Sequence, residues 1–187
     1  MEYEIHVTVS NSNVVSFIND CQTIGVKPIV IETEKEEDYN KQVMTSSKHS
    51  GDSYMVTLKN ISNHLKEKGY LIIREKVEIR PLPIKNDNHI YYESHFRLKL
   101  SKEFDRNILK VLCKNHNFHL SKNLFKKAVD FDYQMITFRH YNLSFDGFNT
   151  VINNMKEELM KLKIPFDKVE IEECVYDSNI KVDKNWI

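Results

Sequence analysis

At 187 residues the chain has room for one domain or two small ones, and each half is long enough to bury a core. Hydrophobic residues make up 41% and charged residues 29%, and 27 Lys and Arg balance 27 Asp and Glu. That balance excludes a protein that coats nucleic acid or membranes through excess positive charge, although it leaves room for a local basic pocket.

The alternation of Tyr3, Ile5, Val7 and Val9 against Glu2, Glu4, His6 and Thr8 predicts a half-buried strand over 2–9. Ser10 to Asn13 breaks it and supplies helix caps. Val14, Phe17, Ile18, Cys21 and Ile24 then recur at helical spacing, stopped by Gly25. A second strand is expected over 27–32, an acidic loop over 33–38 and a third strand over 41–49. A helix carrying Leu58, Ile61 and Leu65 ends at Gly69, and a fourth strand runs over 70–80 to the Pro81-x-Pro83 segment.

The second half repeats the order. Strands are expected over 91–100, 118–121, 133–141 and 166–176, with helices through Ile108–Cys113 and over 145–162. The domain reading is residues 1–83, a linker 84–90, residues 91–176 and a polar tail 177–187 containing Trp186. Cys21, Cys113 and Cys174 have no paired spacing and read as reduced thiols. No apolar run reaches the ~18 residues of a membrane span, and the chain opens into a strand pattern instead of a signal peptide. A cytoplasmic protein with no membrane association is expected.

The halves also share wording. Tyr3-Glu4-Ile5-His6 returns as Tyr92-Glu93-Ser94-His95, Cys21 as Cys113, Gln42-x-Met44-Thr45 as Gln134-x-Ile136-Thr137, and Lys76-Val77-Glu78-Ile79 as Lys168-Val169-Glu170-Ile171. Four echoes in collinear order predict an internal duplication. The fold class expected is α+β: tandem ferredoxin-like (βαββαβ) repeats packed as one pseudo-twofold unit.

Strand alternation assigns the open, polar faces. These carry Glu4, His6 and Thr8; Thr45, Ser47 and His49; Arg74, Lys76, Glu78 and Arg80; Glu93, His95, Arg97 and Lys99; Thr137 and Arg139; and Lys168, Glu170 and Glu172. Two such faces meeting would enclose a charged cleft. A braced sheet held by Glu-Lys and Glu-His pairs, with no ligand, is the alternative. Paired histidines titrate near neutrality and suit a general acid and base, so His6 and His95 are the catalytic candidates. Glu4 and Glu93, each two residues from its histidine, can orient it. His6, His49, His95 and His140 show no tight metal-ligand spacing, so neither metal nor cofactor is assigned. There is no glycine-rich phosphate loop, no nucleophile elbow and no aromatic open face for base stacking.

His6-Val7-Thr8-Val9 is similar to the H-x-T/S-x signature of the two-histidine phosphoesterases. That resemblance implies histidines as acid and base, hydroxyls on the phosphate, no metal, and a small phosphorylated molecule or an RNA end as partner. The open faces supply Glu4, Thr8, Thr45, Lys76, Glu93, Arg97, Thr137, Arg139 and Lys168 as the substrate-binding candidates, with Arg97 and Arg139 able to hold a phosphate by fork-shaped hydrogen bonds. The second histidine departs from the pattern, with Arg97 where the family has Thr or Ser, while His119-Leu120-Ser121 fits it without a counterpart in the first half. Glu2-x-Glu4-x-His6 also resembles the E-x-E-x-K opening of triphosphate-tunnel enzymes, with His in place of Lys, and Lys76-x-Glu78-x-Arg80 would fit such a lining. A non-catalytic binding or assembly protein using the same faces is the remaining alternative.

Overall fold

The computed structural model describes residues 1–10, 13–34, 39–82, 88–125 and 129–182. Its elements in chain order are β1 (Glu2–Val9), α1 (Val14–Thr23), β2 (Lys27–Glu34), β3 (Tyr39–Ser50), α2 (Tyr54–Glu67), β4 (Ile72–Ile79), β5 (Tyr91–Ser101), α3 (Arg106–His116), β6 (His119–Asn123), β7 (Phe131–His140), α4 (Phe145–Lys161) and β8 (Phe166–Asp177). The helices begin where side chains satisfy their free N–H groups. Asn13 accepts from the Val15 and Ser16 N–H groups, Asp105 from Asn107 and Ser144 from Gly147. After α1 the chain reverses through Gly25 at φ +71°, a backbone conformation that favours glycine.

All eight strands belong to one closed barrel in the order β1-β3-β2-β6-β7-β5-β8-β4. Every pairing is antiparallel. The expectation of tandem ferredoxin-like repeats packed as a pseudo-twofold unit is therefore corrected. Strands that would have been free edges are paired across the halves, β2 with β6 and β4 with β8. Closure removes the exposed edges that two open sheets would carry. The echoes do not occupy equivalent registers either. His6 lies opposite Lys76, but His95 lies opposite Glu170, with Lys168 opposite Arg97. Side-chain periodicity reports faces, not which edge finds which partner.

Two apolar cores lie between the barrel and its helices. Phe17, Cys21, Leu58 and Leu65 of α1 and α2 pack on Ile5, Val7, Val30, Val43 and Val77. Leu109, Leu112, Phe148, Ile152 and Leu159 of α3 and α4 pack on Phe96, Leu98, Ile136 and Phe138. The odd-numbered β1 residues thus face the helices, as their alternation predicted. Two boundaries move. The tail expected from 177 begins later, because Asp177 closes β8 and is buried; β2 extends through Thr33 and Glu34. Residues 35–38 of the expected acidic loop, 83–87 around the expected linker and 183–187 with Trp186 lie outside the described residues. From the end of the expected linker, the Ile90 N–H donates to the Cys174 carbonyl at 2.9 Å.

Phe148 is fully buried, with its ring 5.5 Å from that of Tyr92 and 5.3 Å from that of Phe138. Phe148→Ala is expected to cost about 3–5 kcal/mol, the range for deleting a large buried aromatic, measured as a fall in the urea midpoint at unchanged slope.

Candidate functional site

The charged cleft expected between two sheets is the lumen of the barrel, a cavity of about 550 Å³. Its polar lining comes from alternate positions of each strand, the geometry of a closed barrel whose other face is packed under helices. Glu4, His6 and Thr8 enter it from β1, Arg74, Lys76 and Glu78 from β4, Glu93 and His95 from β5, Thr137 and Arg139 from β7, and Lys168, Glu170 and Glu172 from β8. A neighbouring opening of about 530 Å³, lined in part by Tyr3, Arg80 and Ile171, shares Glu4, Glu78 and Glu172 with the lumen.

Glu93 is the centre of the charge network. Its carboxylate accepts from Arg139 Nη2 at 2.6 Å and Nε at 3.0 Å, and from Lys76 Nζ at 2.9 Å. Lys76 also reaches Glu78 at 2.8 Å, and Glu78 lies 3.1 Å from His6 Nε2. His95 Nε2 stands 3.7 Å from Glu93 and 3.6 Å from Glu172. The imidazoles of His6 and His95 are thereby linked through Glu78, Lys76 and Glu93. His6 Nδ1 donates to the Thr45 carbonyl at 3.2 Å, which turns Nε2 to the lumen carboxylates, while His95 Nδ1 shares a 2.9 Å hydrogen bond with the Thr137 hydroxyl. The Ser46 hydroxyl donates to Glu4 at 2.6 Å.

The lumen is shut at one end and open at the other. At the shut end the buried Arg74 donates to Asp177 and to the Tyr91 hydroxyl at 3.0 Å, and that hydroxyl donates to Asp177 at 2.8 Å. Arg139 lies over the Tyr91 ring, 4.5 Å from its centroid. At the open end Lys48 is 73% exposed beside Glu4, and Lys168 is 48% exposed beside Glu170. Arg97 is also at this end, in the fork of Asp167 at 2.7 and 3.0 Å, outside the lumen lining.

Of the predicted site residues, the structure brings together His6, His95, Glu4, Glu93, Thr8, Thr137, Arg139, Lys76 and Lys168. Thr45 is corrected. Ile5 faces Ser47 and Thr8 faces Met44, so Thr45 stands opposite the core residue Val7 and its hydroxyl accepts the Val7 N–H at 3.1 Å. A one-residue difference in register reverses every side chain of a strand, and Ser46 and Met44 enter the lumen instead. Sequence reasoning put Glu78 and Glu172 on the polar faces without singling them out; charge alternation on β4 and β8 was their only signal. His89 falls within the expected linker, outside any helix or strand, and its side chain is buried 3.2 Å from Glu173. Among the described residues no group of three His, Cys, Asp or Glu side chains is arranged to hold a metal ion. No helix among them is long and apolar enough to cross a membrane.

Burial and charge divide the ionisable groups. Burial is the largest influence on Glu93 and pushes its pKa up, but Arg139 and Lys76 outweigh it and hold the carboxyl well below the ordinary value. Glu78 is held down in the same way, burial being outweighed by Lys76 and His6. Glu172 goes the other way. Burial first, and then the nearby charge of Glu78, raise it well above the ordinary 4.5, with Glu4 and Glu93 adding to the rise and Lys76 opposing it. Burial lowers the pKa of His95 against the pull of Glu93 and Glu78.

These directions fix a sign for the pH dependence of folding. Glu93, lowered in the folded state, contributes stability above the unfolded value and loses it as pH falls through the folded one. Glu172, raised, keeps a proton that the unfolded chain has released, so its contribution is present below the unfolded value and lost as pH rises through the folded one. Glu172→Gln is therefore expected to flatten the decline of the urea midpoint as pH rises above the ordinary carboxylate value, whereas Glu93→Gln lowers stability at neutral pH.

No protein-family model matches the chain, and no curated protein matches it. Among solved structures it is similar to the acetolactate synthase small subunit of Thermotoga maritima at 14% identity, covering 95% of this chain and 96% of that one, with a TM-score of 0.34. It is similar to a heme-binding protein of Thermus thermophilus at 8% identity, covering 92% and 90%, with a TM-score of 0.31. A variant chlorite dismutase of Candidatus Nitrospira defluvii matches at 9% identity, covering 99% and 93%, with a TM-score of 0.33. At such scores nothing about this chain's activity follows from these likenesses.

Proposed function

We propose that the barrel lumen is a metal-independent acid–base site for a phosphoester or another phosphate ligand, with His6 and His95 as the proton-transfer groups. The observation that carries the reading is that both imidazoles enter the lumen of one closed barrel and are linked there through Glu78, Lys76 and Glu93. His95, whose pKa burial lowers, suits the proton acceptor. His6 is fixed at Nδ1 by the Thr45 carbonyl and presents Nε2 between Glu4 and Glu78, the position for the donor. Lys76 and Arg139 are engaged by Glu93, so attraction of a phosphate falls to the mouth lysines. Lys48 and Lys168 are themselves exposed and can exchange Glu4 and Glu170 for a ligand, since ion pairs open to solvent are worth little.

A second reading is favoured by one observation: the lining is that of a closed eight-stranded antiparallel barrel with acidic and basic side chains side by side on β1 and β4. This arrangement supports the triphosphate-tunnel resemblance. A third, ligand binding without turnover, uses the same lumen. A panel of cyclic nucleotides, RNA ends and triphosphates separates the three. The first reading expects turnover of cyclic phosphates or RNA ends that survives a chelator; the second expects triphosphates to be the substrates; the third expects binding alone. For the first, His6→Asn and His95→Asn are each expected to lower kcat by about 10²-fold or more, the usual contribution of one proton-transfer group. Full turnover in both variants would end the two-histidine reading.

A further inference from the structure

The apolar side chains of the lumen lie on one side of it. Strands β5, β8, β4 and β1 are consecutive around the barrel and carry His6, His95 and most of the buried charge. The opposite arc, β3, β2, β6 and β7, presents Ile29, Ile31, Met44 and Met135 to the same space, among the polar side chains of Gln42, Ser46, Ser121, Asn123, Thr137 and Arg139. These four belong to neither apolar core, although Val30 and Val43 beside them do. Strand β2 is therefore apolar on both faces, one under a helix and one toward the cavity. Apolar side chains facing an otherwise charged, water-accessible cavity are unfavourable unless something covers them. Ligand pockets combine such a wall with a few placed polar groups, within roughly 300–1,000 Å³.

We propose that this arc is the subsite for the organic body of the ligand, and that the body is a flat, unsaturated ring. The inference rests on the phosphate reading above and narrows it to aryl- or heteroaryl-bearing phosphate esters, in place of inorganic phosphates or sugar phosphates. A ring against the thioethers of Met44 and Met135 gains dispersion and sulfur–aromatic contact. Its opposite edge then faces His95 and Glu172, and a phosphate at the mouth meets Lys48 and Lys168. A polyphosphate or a sugar would leave Ile29 and Ile31 against water.

The test is calorimetric titration of the full chain with phenyl phosphate and adenosine 5′-monophosphate against methyl phosphate and ribose 5-phosphate, with adenosine as the phosphate-free probe. Each ring-bearing phosphate is expected to bind at least tenfold tighter than its ring-free counterpart. Met135→Gln and Ile29→Thr, each with a thermal midpoint near that of the parent, are expected to remove that preference and leave ribose 5-phosphate unchanged. Equal affinity of ring-bearing and ring-free phosphates, or variants that weaken both alike, would overturn this inference and leave the phosphate reading standing. Adenosine binding as tightly as its monophosphate would sink the phosphate reading and the narrowing to phosphate esters with it, and leave the ring subsite standing. Binding of none of the five would overturn both.

Discussion

The structure depends on one buried carboxylate. Glu93 is 1% exposed and bears the charge of both Arg139 and Lys76. Taking an ion out of water costs several kcal/mol, and its partners return that only where every lone pair is used. Glu93 approaches this condition with three hydrogen bonds from two sides, since it sits on β5 and its cations come from β7 and β4. Strand β4 is not paired with β5; β8 lies between them. The Lys76–Glu93 bond therefore spans the lumen side of the seam where the two halves join. Arg74 and Asp177 tie β4 to β8 directly at the same seam. The charged arc is where barrel closure is secured, and it is also where the imidazoles stand.

That coincidence restricts the chemistry. A cation spent on Glu93 is not free to bind a substrate, so the deep lumen holds its charges for each other and offers proton positions instead. Glu172 is the carboxyl left over. It lies 3.6 Å from His95 Nε2, and burial together with the charge of Glu78 pushes it toward the protonated form. A carboxyl biased toward its protonated form beside an imidazole biased toward its neutral form can exchange a proton without importing charge.

Much of this was legible in the residues, and the failures have specific causes. The alternation in β1 separated Glu4, His6 and Thr8 from Ile5 and Val7 because one face had to be apolar, and packing under a helix enforced it. Helix ends followed from Asn13 and Gly25 because unsatisfied N–H groups and positive φ restrict the residue types there. Closure was not legible. Pairing of β2 with β6 rests on three residue pairs, Ile31–Asn123, Glu32–Lys122 and Thr33–Ser121, none of which carries a local signature. Strand β2 did carry one unused clue, in that Ile29, Val30 and Ile31 are consecutive, which an open sheet with a solvated face does not require.

Register is what converts two similar sequences into one asymmetric site. The echoes align Lys76 with Lys168, yet β8 is set two residues further along β5 than β4 is along β1. A shift of two keeps each side chain on its face and changes only its neighbour. As a result Glu93 faces Glu172 across the ladder, and His95 gains a second carboxyl. On the other flank the difference is one residue and reverses the face. Thr137 reaches His95 with its hydroxyl, whereas Thr45 turns outward and offers His6 only its carbonyl. A carbonyl can only accept, so it commits His6 Nδ1 to donate; a hydroxyl can do either and leaves the tautomer of His95 open. Two imidazoles that are equals in sequence are thereby given different partners, and a division into donor and acceptor requires that inequality.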